Sequence, residues 1–152
     1  MIMKLAATTA GSFFYVNVAP TLDRVLLRMS RGRISTGFFM PVVMIDAIGA
    51  KSGQLRRTPL LTARDGDRLV IVASRGGDTR HPGWYYNLRA HPEVDAQLGG
   101  SKRRYLAREV EGEERDRLWQ LAAGAYPGYN TYQRRAGARR IPVLVLEPLR
   151  AD

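Results

Sequence analysis

Tight glycine turns between short apolar segments constrain the fold of this chain more than any other feature. Asp65-Gly66 and Gly99-Gly100 each stand between two such segments. Turns of this type join antiparallel strands, because glycine accepts the positive φ that a two-residue hairpin requires. Together with apolar segments before the first turn and near the C-terminus, they predict about six mostly antiparallel strands. These strands are expected at 41–48, 58–63, 68–74, 94–98, 101–110 and 141–146.

Four further segments have the periodicity or the end signals of helices. Pro20 suits a first turn and Gly32 a helix end, while acidic residues crowd the start of a later helix and favour its dipole. On that later helix the expected apolar stripe is Leu118, Leu121 and Ala122. Helices are therefore predicted at 20–31, 82–90, 111–125 and, after a break, around 126–133. Hairpin-linked strands with helices outside them indicate an α+β fold built on a small barrel or a strongly curled sheet.

The composition is that of a globular protein with a basic surface. The 152 residues carry a formal net charge of +10 and contain no cysteine, which excludes disulfides, thiolate metal sites and a cysteine nucleophile. We expect a single domain at 20–152 after an N-terminal extension at 1–19, with neither a signal peptide nor a spanning helix. The charge favours an anionic partner: nucleic acid, an acidic membrane surface, or a phosphorylated or carboxylated small molecule. The alternative is a solvated, arginine-rich surface.

The stretch at 49–89 concentrates residues that can build a binding site. Two glycine-containing turns, 49–53 and 74–77, carry cations and hydroxyl groups, and a helix led by Pro82 follows with Trp84 and Asn87. Backbone N–H groups in glycine turns and at helix starts bind phosphate or carboxylate, and lysine and arginine neutralise the charge. The stretch therefore predicts a site for a ligand with a flat ring and an anionic tail.

The known nucleotide-binding, hydrolase and metal-binding motifs are absent from this sequence. A P-loop requires glycine directly before its lysine, but Ala50 precedes Lys51. The sequence has no G-x-G-x-x-G or G-x-S-x-G, and His81 and His91 are in no metal-ligand pattern, so we expect no metal site. A nucleic-acid groove would use similar side chains but would follow a longer stripe. A site of cations, hydroxyls and aromatics without a nucleophile suits a cofactor that performs the chemistry itself.

Five separated blocks, in this order, resemble one protein family. The blocks are Gly49-x-Lys51-Ser52-Gly53-Gln54-x-Arg56-Arg57-Thr58-Pro59-Leu60, Asp65-Gly66-Asp67, Val72-Ala73-Ser74-x-Gly76-Gly77, His81-Pro82-x-Trp84-Tyr85-x-Asn87-Leu88, and Tyr126-Pro127-x-Tyr129-x-x-Tyr132-Gln133 with Arg140-Ile141-Pro142 after it. They are similar to those of the deazaflavin-dependent nitroreductase family of actinobacteria, and the likeness covers residues 20–148. Three positions depart from the family pattern: Ala50 replaces a frequent arginine, Leu55 a frequent proline, and Arg75 a lysine, asparagine or glutamine.

The resemblance implies a split β-barrel that binds the deazaflavin coenzyme F-420, whose tail is a phospholactyl-polyglutamate. The reduced coenzyme passes a hydride to an electron-poor acceptor, which is a quinone, a nitroaromatic or an activated alkene. By the resemblance, the phosphate and acidic tail are held by Lys51, Ser52, Arg56, Arg57 and Thr58. The ring and its ribityl chain are lined by Pro59, Leu60, Ala73, Ser74, Arg75, Gly76, Gly77, Pro82, Trp84 and Asn87.

The resemblance also assigns the substrate side of the site. Tyr126, Tyr129 and Tyr132 line it, and Tyr129 and Tyr132 are the candidates for substrate contact or proton donation. Ser74 is expected to hydrogen-bond near the reacting carbonyl or nitro group. The alternative for the three tyrosines is that their rings only cap the barrel.

Further alternatives stay open. Trp84 can be a core residue and Asn87 a helix-surface residue. The same barrel can bind FMN or haem instead, and a basic, non-enzymatic nucleic-acid binder is the least favoured hypothesis. The basic amphipathic helix at 20–31 either packs on the sheet or lies on an anionic bilayer, where quinones are found. By the resemblance we expect a cytoplasmic protein, peripheral to the inner face of the membrane in the second case, and a homodimer.

Overall fold

A computed structural model describes residues 41–150, which form a seven-stranded antiparallel sheet and three helices. The strands are β1 (Val42–Ile48), β2 (Leu55–Leu61), β3 (Ala63–Asp65), β4 (Arg68–Val72), β5 (Glu93–Leu98), β6 (Ser101–Glu109) and β7 (Val143–Pro148). The helices are α1 (Gly83–Ala90), α2 (Gly112–Ala125) and α3 (Gly128–Ala136), and a 3-10 turn spans Arg75–Gly77. The extension predicted at 1–19 and the helix predicted at 20–31 lie outside the described residues.

The order of the strands shows how the sheet curls. The order is β2-β1-β5-β6-β7-β4-β3, so β2 and β3 are at opposite ends although a single residue, Thr62, separates them in the chain. Thr62 is fully buried; its N–H donates to the carbonyl of Pro41 (3.0 Å) and its Oγ1 to the carbonyl of Val70 (3.0 Å). One continuous stretch of chain therefore joins the two ends of the sheet, and the predicted α+β barrel is confirmed.

The prediction of a single strand at 58–63 is wrong. The chain instead forms β2 paired with β1 and β3 paired with β4, which accounts for seven strands rather than six. The strand changes its partner at Thr62 because the curled sheet brings β1 and β4 to that residue from opposite sides. Periodicity indicates where a strand runs but not where it changes partner.

The hairpin turns are confirmed. Gly66 (φ 64°) joins β3 to β4 and Gly99 (φ 61°) joins β5 to β6, both in the left-handed region that favours glycine. Leu98 pairs directly with Ser101 across the second turn. These turns set the register in which Tyr105 and Ala107 face the core.

Two clusters of buried side chains fill the molecule. The α1 core packs Tyr85 and Leu88 of α1 against β1, β4, β5, β6 and β7, and the α2/α3 core packs both later helices against β3, β4 and β7. On α2 the predicted stripe is correct for Leu118 and Ala122 but wrong for Leu121, which is 37% exposed. Trp119 is buried instead, because Leu118, Trp119, Ala122 and Ala123 share one face of the helix. The indole Nε1–H of Trp119 donates to Asn130 Oδ1 on α3 (3.0 Å).

Ion pairs fasten α2 to the β3–β4 hairpin. Asp65 accepts hydrogen bonds from Arg117 (3.0 Å to each carboxylate oxygen) and from Arg68. The two arginines hold the pKa of Asp65 at about 2, well below its ordinary value of 3.8.

None of the helices in residues 41–150 has both the length and the apolar character needed to cross a bilayer.

Candidate cofactor-binding and active site

The first glycine turn lies between β1 and β2 and is closed by its own hydrogen bonds. Gly49 N–H donates to Gln54 O (2.8 Å), and Gly53 N–H donates to Gly49 O (2.9 Å). The hydroxyl of Ser52 accepts from Gln54 N–H (3.2 Å), and a Cβ at Gly49 would lie 2.4 Å from that hydroxyl oxygen. The sequence-predicted residue Ser52 therefore shapes the turn, and a side chain at position 49 would displace its hydroxyl from Gln54.

The cations beside this turn have different surroundings. Lys51 and Arg56 are exposed, and neither makes an ion pair with another residue in the described part of the chain. Arg57 instead binds Asp46 with both ends of its guanidinium, Nε to Oδ1 at 2.7 Å and Nη2 to Oδ2 at 3.0 Å. This pairing lowers the pKa of Asp46 and raises that of Arg57. Two uncompensated cations therefore remain at the turn.

Strand geometry explains the separation of the two arginines. Arg57 lies opposite Asp46 on β1, whereas Arg56 lies opposite Ala47, which faces the α1 core. Alternation along β2 places Thr58 and Leu60 on the side of Arg56 and buries Pro59 on the side of Arg57. The residues predicted at 56–60 are therefore divided between two faces of the sheet.

A hydrogen bond ties the first turn to α1. The N–H of Ala50 donates to the side-chain oxygen of Asn87 (2.9 Å), 37 residues further along. Trp84 lies one turn earlier on the same helix, half-buried, and packs against the α1 core; Pro82 caps the helix start. Asn87 thus has a structural partner, and through it the unpaired cations and Trp84 belong to one connected region.

The second predicted turn follows β4. Ala73 is buried, and the half-buried Ser74 has no hydrogen bond from its hydroxyl to another described residue. Arg75 (φ 46°) is the only non-glycine residue with positive φ within residues 41–150. Its guanidinium lies 3.6 Å from Asp78, and Nη1 donates to His81 O (3.4 Å). These contacts hold a backbone conformation that costs about 1–3 kcal/mol.

This second turn packs directly on α3. A Cβ at Gly77 (φ 86°) would lie 2.8 Å from Tyr132 O and 2.9 Å from Arg135 Cβ, so only glycine fits there. Arg135 Nη1 also donates to Gly76 O (3.1 Å). The turn that carries Ser74 and the helix that carries two predicted tyrosines are therefore in contact.

Arg139 is the residue that sequence reasoning missed. Its guanidinium, half-buried before β7, donates Nε to Asp78 O (2.8 Å), Nη1 to Ala73 O (3.0 Å) and Nη2 to Ser74 O (2.6 Å). Nη1 also lies 2.9 Å from His81 Nδ1. Burial lowers the pKa of Arg139. No local pattern could identify it, because its partners lie 58 to 66 residues earlier.

The three predicted tyrosines lie together in the α2/α3 core. Tyr126, Tyr129 and Tyr132 are each 4% exposed or less, and the hydroxyls of Tyr126 and Tyr132 are 2.8 Å apart. A Cβ at Gly128 would lie 2.6 Å from the Tyr126 ring, so that glycine permits the packing. The tyrosines and Trp84 belong to different core clusters, and the loop after β4 lies between their helices.

Comparison with known proteins identifies the family. The model of the F420H(2)-dependent quinone reductase family matches residues 22–148. An F420H(2)-dependent quinone reductase of Mycobacterium tuberculosis is 44% identical over 109 residues, which are 70% of this chain and 72% of the relative.

Solved structures agree with this identification. An F420-H2 dependent reductase is 44% identical with a TM-score of 0.66, covering 70% of this chain and 94% of its own. A structure described as a domain-swapped dimer is 40% identical with a TM-score of 0.68, covering 84% of this chain and 94% of its own. A heme binding protein of Mycobacterium smegmatis, 16% identical with a TM-score of 0.54 over 72% of this chain and 46% of its own, shares the fold alone.

These findings confirm the predicted split barrel, the predicted oxidoreductase class and the predicted deazaflavin coenzyme, and they favour that coenzyme over FMN and haem. The chain belongs to the F420H(2)-dependent quinone reductase family.

Proposed function

We propose that this protein transfers a hydride from reduced coenzyme F-420 to a quinone. The observation that carries the proposal is the Ala50–Asn87 hydrogen bond, which joins a turn with two unpaired cations to the helix of Trp84. A ligand that spans this region meets positive charge at one end and an indole at the other. The family relationship supplies the coenzyme class.

The donors at the first turn fit the coenzyme tail. The backbone N–H groups of Lys51 and Ser52 make no hydrogen bond with another described residue, and the side chains of Lys51 and Arg56 are unpaired among them. Several convergent donors with two positive charges suit a phosphate followed by carboxylates. Thr58 and Leu60, on the same face as Arg56, continue this wall in the proposal, whereas Arg57, held by Asp46, and Pro59 support β2 from the other face.

The second turn is proposed to orient the ring. When bound, the reduced coenzyme supplies a hydride from its deazaflavin ring. Ser74 offers a hydroxyl that is unengaged within residues 41–150. In the proposal Ala73, Gly76 and Gly77 support this turn from behind, since Ala73 is buried and Gly77 packs on α3. Holding the ring and acceptor in fixed register is the main contribution that such a chain can make to the rate.

The tyrosines are proposed to line the acceptor side. Reduction of a quinone to a quinol takes up a proton with the hydride, and a positioned hydroxyl can donate it. Tyr132 and Tyr126 share a hydrogen bond, so either hydroxyl can hold the proton between them. We assign acceptor contact or proton donation to Tyr129 and Tyr132, with Tyr126 supporting Tyr132. Because the three rings are 4% exposed or less, contact requires the acceptor to enter the α2/α3 core.

Assembly and location are part of the proposal. A homodimer is supported by the 40% identical structure described as a domain-swapped dimer. Cytoplasmic location with peripheral attachment through the basic segment at 20–31, for which the sequence predicts an amphipathic helix, would bring the site near membrane quinones. Light scattering and sedimentation with anionic vesicles test these two points separately.

The activity is tested by mixing purified protein with reduced coenzyme and a series of acceptors. Coenzyme oxidation should accelerate with a naphthoquinone or benzoquinone, and nitroaromatics serve as the comparison class. Arg56→Ala should raise the KM for the coenzyme and leave the KM for the quinone unchanged. Oxidation at the protein-free rate with every acceptor would contradict the proposal.

A further inference from the structure

Arg139 connects the last strand to the loop after β4. It lies in the segment between α3 and β7, and four hydrogen bonds from its guanidinium end on residues 73–81. Arginine offers five N–H donors in a rigid fork, so this one side chain is almost fully engaged. The neighbouring Arg140 is exposed and meets only Asp116, at 3.8 Å, among the described residues.

The backbone around Arg139 is fixed from α3. Gln133 Nε2 donates to the carbonyl of Arg139 (2.8 Å), and Gln133 Oε1 accepts from the N–H of Ile141 (2.9 Å). One amide side chain thus holds the peptide groups on both sides of Arg140, directly after Arg139, while the N–H of Arg139 donates to Ala136 O on α3 (3.3 Å). The guanidinium is therefore oriented by contacts within the chain itself.

The hydrogen bonds of Arg139 fix the direction of two peptide groups, at Ser74 O together with the N–H of Gly77, which donates to the same oxygen (2.9 Å). In a trans peptide the N–H points opposite to the C=O of the same plane. Because Ala73 O and Ser74 O point at Arg139, the N–H groups of Ser74 and Arg75 point away from it. Neither N–H makes a hydrogen bond with another described residue. Two donors are thus presented beside the Ser74 hydroxyl.

Arg139 also determines the state of His81. A guanidinium only donates, so His81 Nδ1 accepts the bond and a neutral ring carries its hydrogen on Nε2. The ring packs against Tyr85 (centroids 4.7 Å apart) and Tyr86 (6.0 Å). Burial lowers the pKa of His81, Arg139 and Arg89 lower it further, and Glu109, which accepts from Tyr85, opposes them.

We propose that Arg139 is a positioning residue that presets the loop at 73–81 for the coenzyme, turning the N–H groups of Ser74 and Arg75 toward it and holding His81 as the Nε2–H tautomer. This proposal rests on the proposed function for the identity of the ligand. It assigns the missed arginine to the reaction without contact between Arg139 and the coenzyme.

Coenzyme binding by Arg139→Gln tests whether Arg139 presets the loop at 73–81 for the coenzyme, and Arg140→Gln is the matched control. Titration calorimetry should show a rise of about tenfold in Kd for Arg139→Gln and no change for Arg140→Gln. Arg139→Lys, which keeps one cation but not the fork, should fall between them. A purely structural Arg139 would lower the melting temperature of the variant while the folded protein bound the coenzyme with wild-type Kd, and that result would overturn the proposal.

The tautomer of His81 in the coenzyme-free wild-type protein tests whether Arg139 holds the hydrogen of the ring on Nε2. The chain has two histidines, so ¹⁵N-histidine NMR with a His91→Gln variant assigns His81. We expect hydrogen on Nε2 in the wild type and a tautomer mixture in Arg139→Gln. Hydrogen on Nδ1 in the wild type would overturn the proposal even if Arg139→Gln did not fold. Wild-type protein that bound no coenzyme would instead contradict the proposed function, whatever the tautomer.

Discussion

Arg56 and Arg57 are adjacent in the chain but differ in what they can do for a ligand. Arg57 is committed to Asp46, whereas Arg56 has no ion-pair partner among the described residues. We expect Arg56→Ala to raise the Kd for coenzyme about tenfold, because a charge-assisted hydrogen bond is lost. Arg57→Ala should change the Kd much less, since its charge is already neutralised. Calorimetric titration of both variants measures the difference, and equal losses would contradict it.

Substitution of Tyr132 tests whether this residue belongs to the acceptor side of the site or to the coenzyme side. Its hydroxyl bonds to that of Tyr126, and its ring packs in the α2/α3 core. Tyr132→Phe removes only the hydroxyl, so we expect an unchanged Kd for coenzyme and a fall in kcat of about tenfold to a hundredfold. Steady-state kinetics with a quinone and a binding titration give the two numbers. Abolished coenzyme binding would show that Tyr132 belongs to the coenzyme side.

At the scale of the element, the turn at Arg75–Gly77 depends on its contact with α3. Gly77→Ala would place a methyl group 2.8 Å from Tyr132 O at a positive φ. We expect this variant to lose about 2 kcal/mol in the free energy of unfolding and to bind the coenzyme more weakly. Gly99→Ala in the turn between β5 and β6 is the control, because Gly99 also has a positive φ (61°) but its Cβ would meet no atom within 4 Å. Urea unfolding of both variants decides whether close packing is the cause.

Elements that are marked by neighbouring residues could be predicted from the sequence, whereas elements that depend on distant residues could not. Gly66 and Gly99 mark their hairpins, because turn chemistry lies within two residues. The division of one strand at Thr62 was not predicted, since it depends on bonds to Pro41 and Val70 from two different strands. For the same reason the site blocks could be recognised as motifs, while Arg139, which organises one of them through long-range contacts, could not.

At the scale of the whole molecule, the ion pairs of Asp65 link stability to pH. A carboxyl whose pKa is lowered on folding contributes stability that is complete above its ordinary pKa of 3.8 and is lost as the pH falls through about 2. We therefore expect the free energy of unfolding to decrease across that range. Asp65→Asn should flatten the decrease, whereas Asp67→Asn, at an exposed residue of the same hairpin, should retain it. Urea titrations at stepped pH measure both.

The central claim is that coenzyme F-420 binds between the first glycine turn and α1, beside Trp84. Tryptophan fluorescence tests it directly, because the chain has two tryptophans and Trp119 is 9% exposed in the other core. Titration with the coenzyme should quench the wild type, and Trp84→Phe should bind it by calorimetry yet lose most of the quenching; FMN should quench neither. Binding of the coenzyme that left the emission of Trp84 unchanged would contradict the location, and no binding at all would contradict the account.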